Sequence, residues 1–151
     1  MTHIRTGIRD AAATAVTGLT TTGARVYKSR TLPLTAVELP ALCVYARAES
    51  YDYGEAAFSG GRAYPVRAVE LHVQGFVKDT DSSAIETTLD VIAKEVETAI
   101  YAAFPLGSSF GMTLGSQNTE VNADGDESLG VIDMVFQVAY RTVEGLPETA
   151  I

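Results

Sequence analysis

Between residues 65 and 100 the hydrophobic period of this chain changes once, and that change limits it to a small set of folds. From Pro65, Val69, Leu71, Val73, Gly75 and Val77 share one side of an alternating run, while Ala68, Glu70, His72, Gln74 and Phe76 share the other. A period of two is that of a strand with one core face and one more polar face. Ile85, Leu89, Ile92, Val96 and Ile100 then recur at spacings of four, three, four and four, which is the apolar stripe of a helix. Asp79 to Ser83 supplies helix-starting residues, and Ser83 with Glu86 fits a capping box. A helix is therefore predicted to run to about Ala103, with Glu86, Asp90, Glu95 and Glu97 on its solvated side.

The rest of the chain fits around this strand and helix. Ile4, Ile8, Ala11, Ala12, Ala15, Val16 and Leu19 fall on one helical face, so a first helix is predicted over about residues 2 to 17, with Gly18 as its C-terminal cap. Ala24 to Lys28 is short and compatible with a strand, and Leu42 to Ala46 reads as a buried strand beginning just after Pro40. Residues 49 to 64 contain three glycines and the aromatics Tyr51, Tyr53, Phe58 and Tyr64. A connection of that length is usually functional or disordered. It is either a loose hairpin end or an arm that orders on meeting a partner. Met112 to Val121 is predicted as a weak strand, Asn122 to Ser128 as a turn, and Val131 to Val143 as a strong strand. The residues from about 145 read as a flexible tail. The expected architecture is α+β in the order α-β-β-β-α-β-β. It is a single domain over residues 1 to 151, with an antiparallel or mixed sheet of about four to five strands covered by two helices.

Composition narrows the function. The formal charge is −8, and an acidic field repels both phosphates and anionic lipid. No apolar run approaches the roughly 20 residues of a membrane-spanning helix. Met1 to Leu19 lacks the apolar block of a signal peptide, so synthesis in a cytoplasm is expected. Cys43, the single cysteine, excludes an internal disulfide or a thiolate-rich zinc site and reads as a small buried hydrophobe. His72 reads as a partly exposed strand residue. Glu120, Asn122, Asp124 and Gly125 echo a calcium loop, but its twelfth position is Val131, which offers no oxygen, so a polar hairpin turn is the better reading. No catalytic constellation, cofactor motif or metal set is evident, and an enzymatic role is not expected. The charge is also uneven. Residues 1 to 48 carry six basic against two acidic groups, a net of +4, and the remainder carries five against seventeen, a net of −12.

Taken together, several segments resemble the tail terminator proteins of long-tailed phages, the family of phage lambda's minor tail protein U. They are the Ile-Arg…Ala-Ala-Ala helix at the N-terminus, Ala24-Arg25-Val26-Tyr27, and Leu39-Pro40-Ala41-Leu42-Cys43-Val44-Tyr45. The long aromatic-containing loop, Val69-Glu70-Leu71-His72-Val73, the helix after Asp79 and an acidic turn before Phe136-Gln137-Val138-Ala139-Tyr140 continue the match. The stretch Thr31 to Val37 and the C-terminal residues depart from it. The resemblance implies a structural virion protein of a siphovirus. It would form a hexameric ring on the head-proximal end of the tail tube, stop polymerisation, and offer the surface for head-tail joining. Its partners would be itself, the tube protein and the connector proteins, and DNA would pass through the lumen without specific binding. Another connector or neck ring is the alternative, followed by a small ligand-binding or enzymatic α+β domain. A ring uses heterologous contacts, so the charge split suggests Arg25, Lys28 and Arg30 facing Asp124, Asp126 and Glu127 of a neighbour. Tyr51, Tyr53 and Phe58 are the candidates for an arm gripping the adjacent subunit or the tube.

Overall fold

A computed structural model describes residues 2–28, 39–54, 63–104, 110–124 and 127–151. Along the chain lie α1 (Ile4–Ala15), β1 (Val26–Tyr27), β2 (Ala41–Asp52), β3 (Val66–Asp79), α2 (Ser82–Ala103), β4 (Gly111–Asp124) and β5 (Glu127–Arg141). The five strands form one sheet in the order β1-β2-β3-β5-β4. β1 pairs parallel to β2 and all other pairs are antiparallel, so the fold is α+β with a mixed sheet, in the element order expected.

Both helices pack on the same face of the sheet. Ile8, Ala12 and Val16 of α1 join Ile85, Leu89, Ile92, Val96 and Ile100 of α2 over Leu42, Val44, Val69, Leu71, Val73, Ile132, Met134, Phe136 and Val138. The alternation of β3 is met on its core side, where Val69, Leu71, Val73, Gly75 and Val77 are all buried. Two glycines set how closely α2 approaches. A Cβ at Gly130 would stand 2.2 Å from the Ile85 Cγ2, and one at Gly75 would stand 2.9 Å from Ile132 and 3.0 Å from Ile92. The helix thus sits in a notch that only backbone without a side chain leaves open.

Several boundaries differ from the sequence reading, each for a local reason. The cap of α2 is Asp81, not Ser83, because the Asp81 carboxylate accepts from the Ser83 backbone N–H at 3.0 Å. A carboxylate there lies against the helix N-terminus, where its charge is favoured, and the Ser83 N–H and hydroxyl both hold its carboxyl below the usual range. α1 begins after His3, whose Nδ1 accepts from the Arg5 N–H at 3.0 Å. It ends at Ala15, and Gly18 turns the chain at φ 88° beyond the Val16 cap. The segment read as a loop from 49 to 64 is shorter, since Ala48 to Asp52 still pairs with Val66 to Glu70. Likewise the turn read at 122 to 128 is mostly strand, with Asp124 pairing with Glu127.

The last residues fold back rather than trail away. Thr142 bridges Ala150, the Ile151 N–H bonds to the Arg141 carbonyl at 2.9 Å, and the Pro147 carbonyl accepts from the Ile4 N–H at 3.1 Å. That last bond satisfies one of the first-turn donors that a helix cannot satisfy by itself.

Gly130→Ala should destabilise the protein by about 1–3 kcal/mol through overpacking against α2. Gly7→Ala, on α1 with nothing within 4 Å of the new methyl, should stabilise by about 0.5–1 kcal/mol through helix propensity. Urea midpoints of both variants check the opposite signs.

Candidate assembly surfaces

One end of the sheet is closed by a buried ionic cluster. Glu49 lies on β2 past a bulge between Ala46 and Ala48, and its side chain is only 2% exposed. Its carboxylate is 3.8 Å from His3 and Arg5 and 3.9 Å from Arg67, whose side chain is itself buried. The Tyr140 hydroxyl donates to Glu49, the Tyr51 hydroxyl donates to it at 3.1 Å, and the Arg67 Nε donates to Thr142 Oγ1 at 2.8 Å. Burial first, and then the Glu49 carboxylate, raise the Tyr140 phenol above its usual range. Residues from α1, β2, β3, β5 and the C-terminal segment therefore share one charge network. Glu49 and Arg67, its charged centre, are not among the residues the sequence singles out, although Arg67 carries a visible signal. It has the same parity as Val69 and Leu71, so it is a charge on the core side of the strand.

On the sheet face away from the helices, His72 is 3% exposed, not partly exposed as its alternation suggested. The Tyr45 ring stacks on it at 4.8 Å and 6°. Its Nδ1 lies 3.0 Å from Asp133 and its Nε2 2.6 Å from Glu70. Neighbouring strands enclose the ring, and only cross-strand register reveals that. Nearby, Cys43 is buried, and burial pushes its thiol up to about 11, the opposite of what a nucleophile requires.

The residues singled out for assembly have varied surroundings. The Arg25 guanidinium is held by the carbonyls of Pro40 at 2.7 Å and Thr21 at 3.3 Å, joining β1 to the start of β2. Lys28 pairs with Asp10 at 3.3 Å on α1. Tyr51 and Tyr53 are exposed at the end of β2, with Arg67 over the Tyr51 ring at 5.0 Å. Glu127 begins β5 and pairs with Lys78 at 3.8 Å. Asp124 ends β4. Arg30, Phe58 and Asp126 lie outside the described residues, as does the Asp124 side chain. Glu120 and Asn122 belong to the β4 ladder opposite Val131 and Leu129, so the calcium-like run is mostly extended strand.

Two surfaces of opposite character flank the sheet order. A polar groove of about 310 Å³ lies beside β1 and β2, lined by Arg5, Arg9, Lys28, Arg47 and Tyr45. Asp10 pairs with Arg9 at 3.1 Å and with Lys28, and Arg9 first, then Lys28, hold its carboxyl below the usual range. At the other edge, β4 exposes most of its residues, Glu120 among them. A more apolar groove of about 540 Å³ runs between α2 and the turn after α1, lined by Leu19, Val91 and Ala99 among others. Among the described residues, no helix is long and apolar enough to cross a membrane.

No family profile and no curated protein matches the chain. A chain from a solved structure described as "Virion of native gene transfer agent (GTA) particle" is similar at 14% identity with a TM-score of 0.47, covering 93% of this chain and 96% of that one. A likeness so loose carries no argument about function.

Glu49→Gln should cost about 3 kcal/mol, because it leaves Arg67 buried without its anion. Tyr140→Phe, which removes one hydrogen bond to that charge, should cost about 2 kcal/mol. Denaturant unfolding of the two variants checks the order. Cys43 has a raised folded-state value, so its contribution to stability is whole below the reference value of 9.0 and is lost as pH rises through about 11. Thermal unfolding across that window should fall less steeply for Cys43→Ala than for the wild type.

Proposed function

We propose that this chain is a structural protein of a phage-type virion. It assembles as a ring, hexameric by the family resemblance, that caps the tail tube, ends its polymerisation and offers the surface on which the head is joined. On this reading its role is structural and not catalytic. It acts at the head-proximal end of the tail, with the tube protein on one side and connector proteins on the other.

The observation that carries the reading is the open sheet. Its strand order runs from β1 at one edge to β4 at the other, and among the described residues neither edge strand has a second partner. β1 is two residues long and pairs with Leu42 and Cys43, so among the described residues the outer side of β2 from Val44 onward is also without a strand. Edges left open in this way are normally blunted or covered. Heterologous contacts, in which one patch of a subunit meets a different patch of the next, cover both at once and close into a ring when the rotation allows. The sequence resemblance over most of the chain points to the same kind of assembly. Tyr51 and Tyr53, exposed beside the ionic cluster, supply aromatic area for a further contact with the adjacent subunit or the tube.

The nearest competitor is another ring of the head-to-tail junction, which would use the same geometry. Electron microscopy of particles made without this protein separates the two. Overlong tails are expected for a terminator. Tails of normal length lacking heads would mean a connector, and unaltered particles would sink both readings.

A further inference from the structure

Among the described residues, the groove beside β2 gathers positive charge in an otherwise acidic chain. Arg5 and Arg9 are one helical turn apart on α1, Lys28 follows β1, and Arg47 sits at the bulge of β2. Four cations therefore converge on a cavity of about 310 Å³. Two carboxylates lie near them: Asp10, which pairs with Arg9 and Lys28, and Glu49, which is 3.8 Å from Arg5. Glu49 is already engaged from behind by Arg67 and Tyr140. Arg47 is exposed and makes no ion pair among the described residues. The groove thus keeps a surplus of two positive charges and a guanidinium able to take a carboxylate through two parallel N–H donors. It also borders the stretch of β2 that no described strand covers.

At the opposite end of the strand order, β4 and β5 meet in a hairpin whose end carries Asp124 and Glu127, with Glu120 further along β4 opposite Val131. Glu127 pairs with Lys78 at 3.8 Å. Basic groove and acidic hairpin belong to one chain but occupy opposite ends of one sheet. They can meet only between copies, in a head-to-tail arrangement.

We propose that the groove formed by Arg5, Arg9, Lys28 and Arg47 receives the acidic end of the β4–β5 hairpin of a second copy of this chain. This rests on the ring reading and names the contact that would build the ring. It also shifts the basic partner away from Arg25, whose guanidinium is held by backbone carbonyls of its own subunit. Charge pairs at such a contact fix register and speed encounter, and they weaken as salt rises.

Sedimentation velocity of the full chain over a concentration and salt series tests this. The wild type should self-associate, less so at high salt. Arg9→Glu with Arg47→Glu should weaken association at least tenfold, as should Glu120→Lys with Asp124→Lys, while circular dichroism and urea midpoints show that both still fold. Mixing the two reversed variants in equal amounts should restore assembly, because each groove then meets a hairpin of opposite sign and subunits can alternate around an even-numbered ring. A wild type that stays monomeric throughout would overturn both the ring reading and this contact. Assembly that survives reversal of the groove, or a mixture that fails to recover, would overturn the contact and leave the ring reading standing. Binding of inorganic phosphate or a DNA oligonucleotide in the groove, with assembly indifferent to reversal, would make it an anion site instead.

Discussion

The seating of α2 on β3 and β5 is the contact on which the rest of this fold depends. Ile85 and Ile92 come down onto Gly130 and Gly75, where any side chain would hold the helix away. Close approach buries the α2 stripe against the central strands, and α1 then fills the remaining width over β2. Because both helices are committed to one face, the other face and the two sheet edges have no helical cover among the described residues. The surfaces available for assembly follow from that packing: an exposed β4 on one side, and on the other a short β1 beside the cationic groove.

The Glu49 cluster does a second job at the end of the sheet. Buried charges are costly to desolvate and are a poor source of net stability, but removing one partner is worse than keeping the pair. Here the network draws residues from the N-terminal helix and three strands to one carboxylate, and Arg67 extends it to Thr142 of the C-terminal segment. It ties the chain ends to the β2–β3 hairpin, alongside the bond from Ile4 to Pro147. Tyr51, exposed yet bonded to Glu49, links this internal network to the aromatic surface nearby.

Periodicity made the two helices and the long strands legible, because burial of one face repeats every two or 3.6 residues and leaves that mark in the residue order. The limits of α2 came out well for this reason. Its cap did not, since Asp81 and Ser83 are both competent and only the backbone path selects between them. The extension of β2 to Asp52 was hidden because Glu49, Tyr51 and Asp52 resemble a polar loop. They are strand because β3 pairs with them.

By itself the sequence determined the class, the element order, which faces are apolar and the separation of charge along the chain. These depend on near neighbours and on composition. Only the tertiary structure decided that Arg67 and Glu49 meet in the interior, that His72 is enclosed by Tyr45, Glu70 and Asp133, and that Arg5 and Arg9 join Lys28 and Arg47 in one groove. Each of these joins residues from different elements, and register and helix seating are settled by the packing of the whole core, which no local stretch of residues encodes.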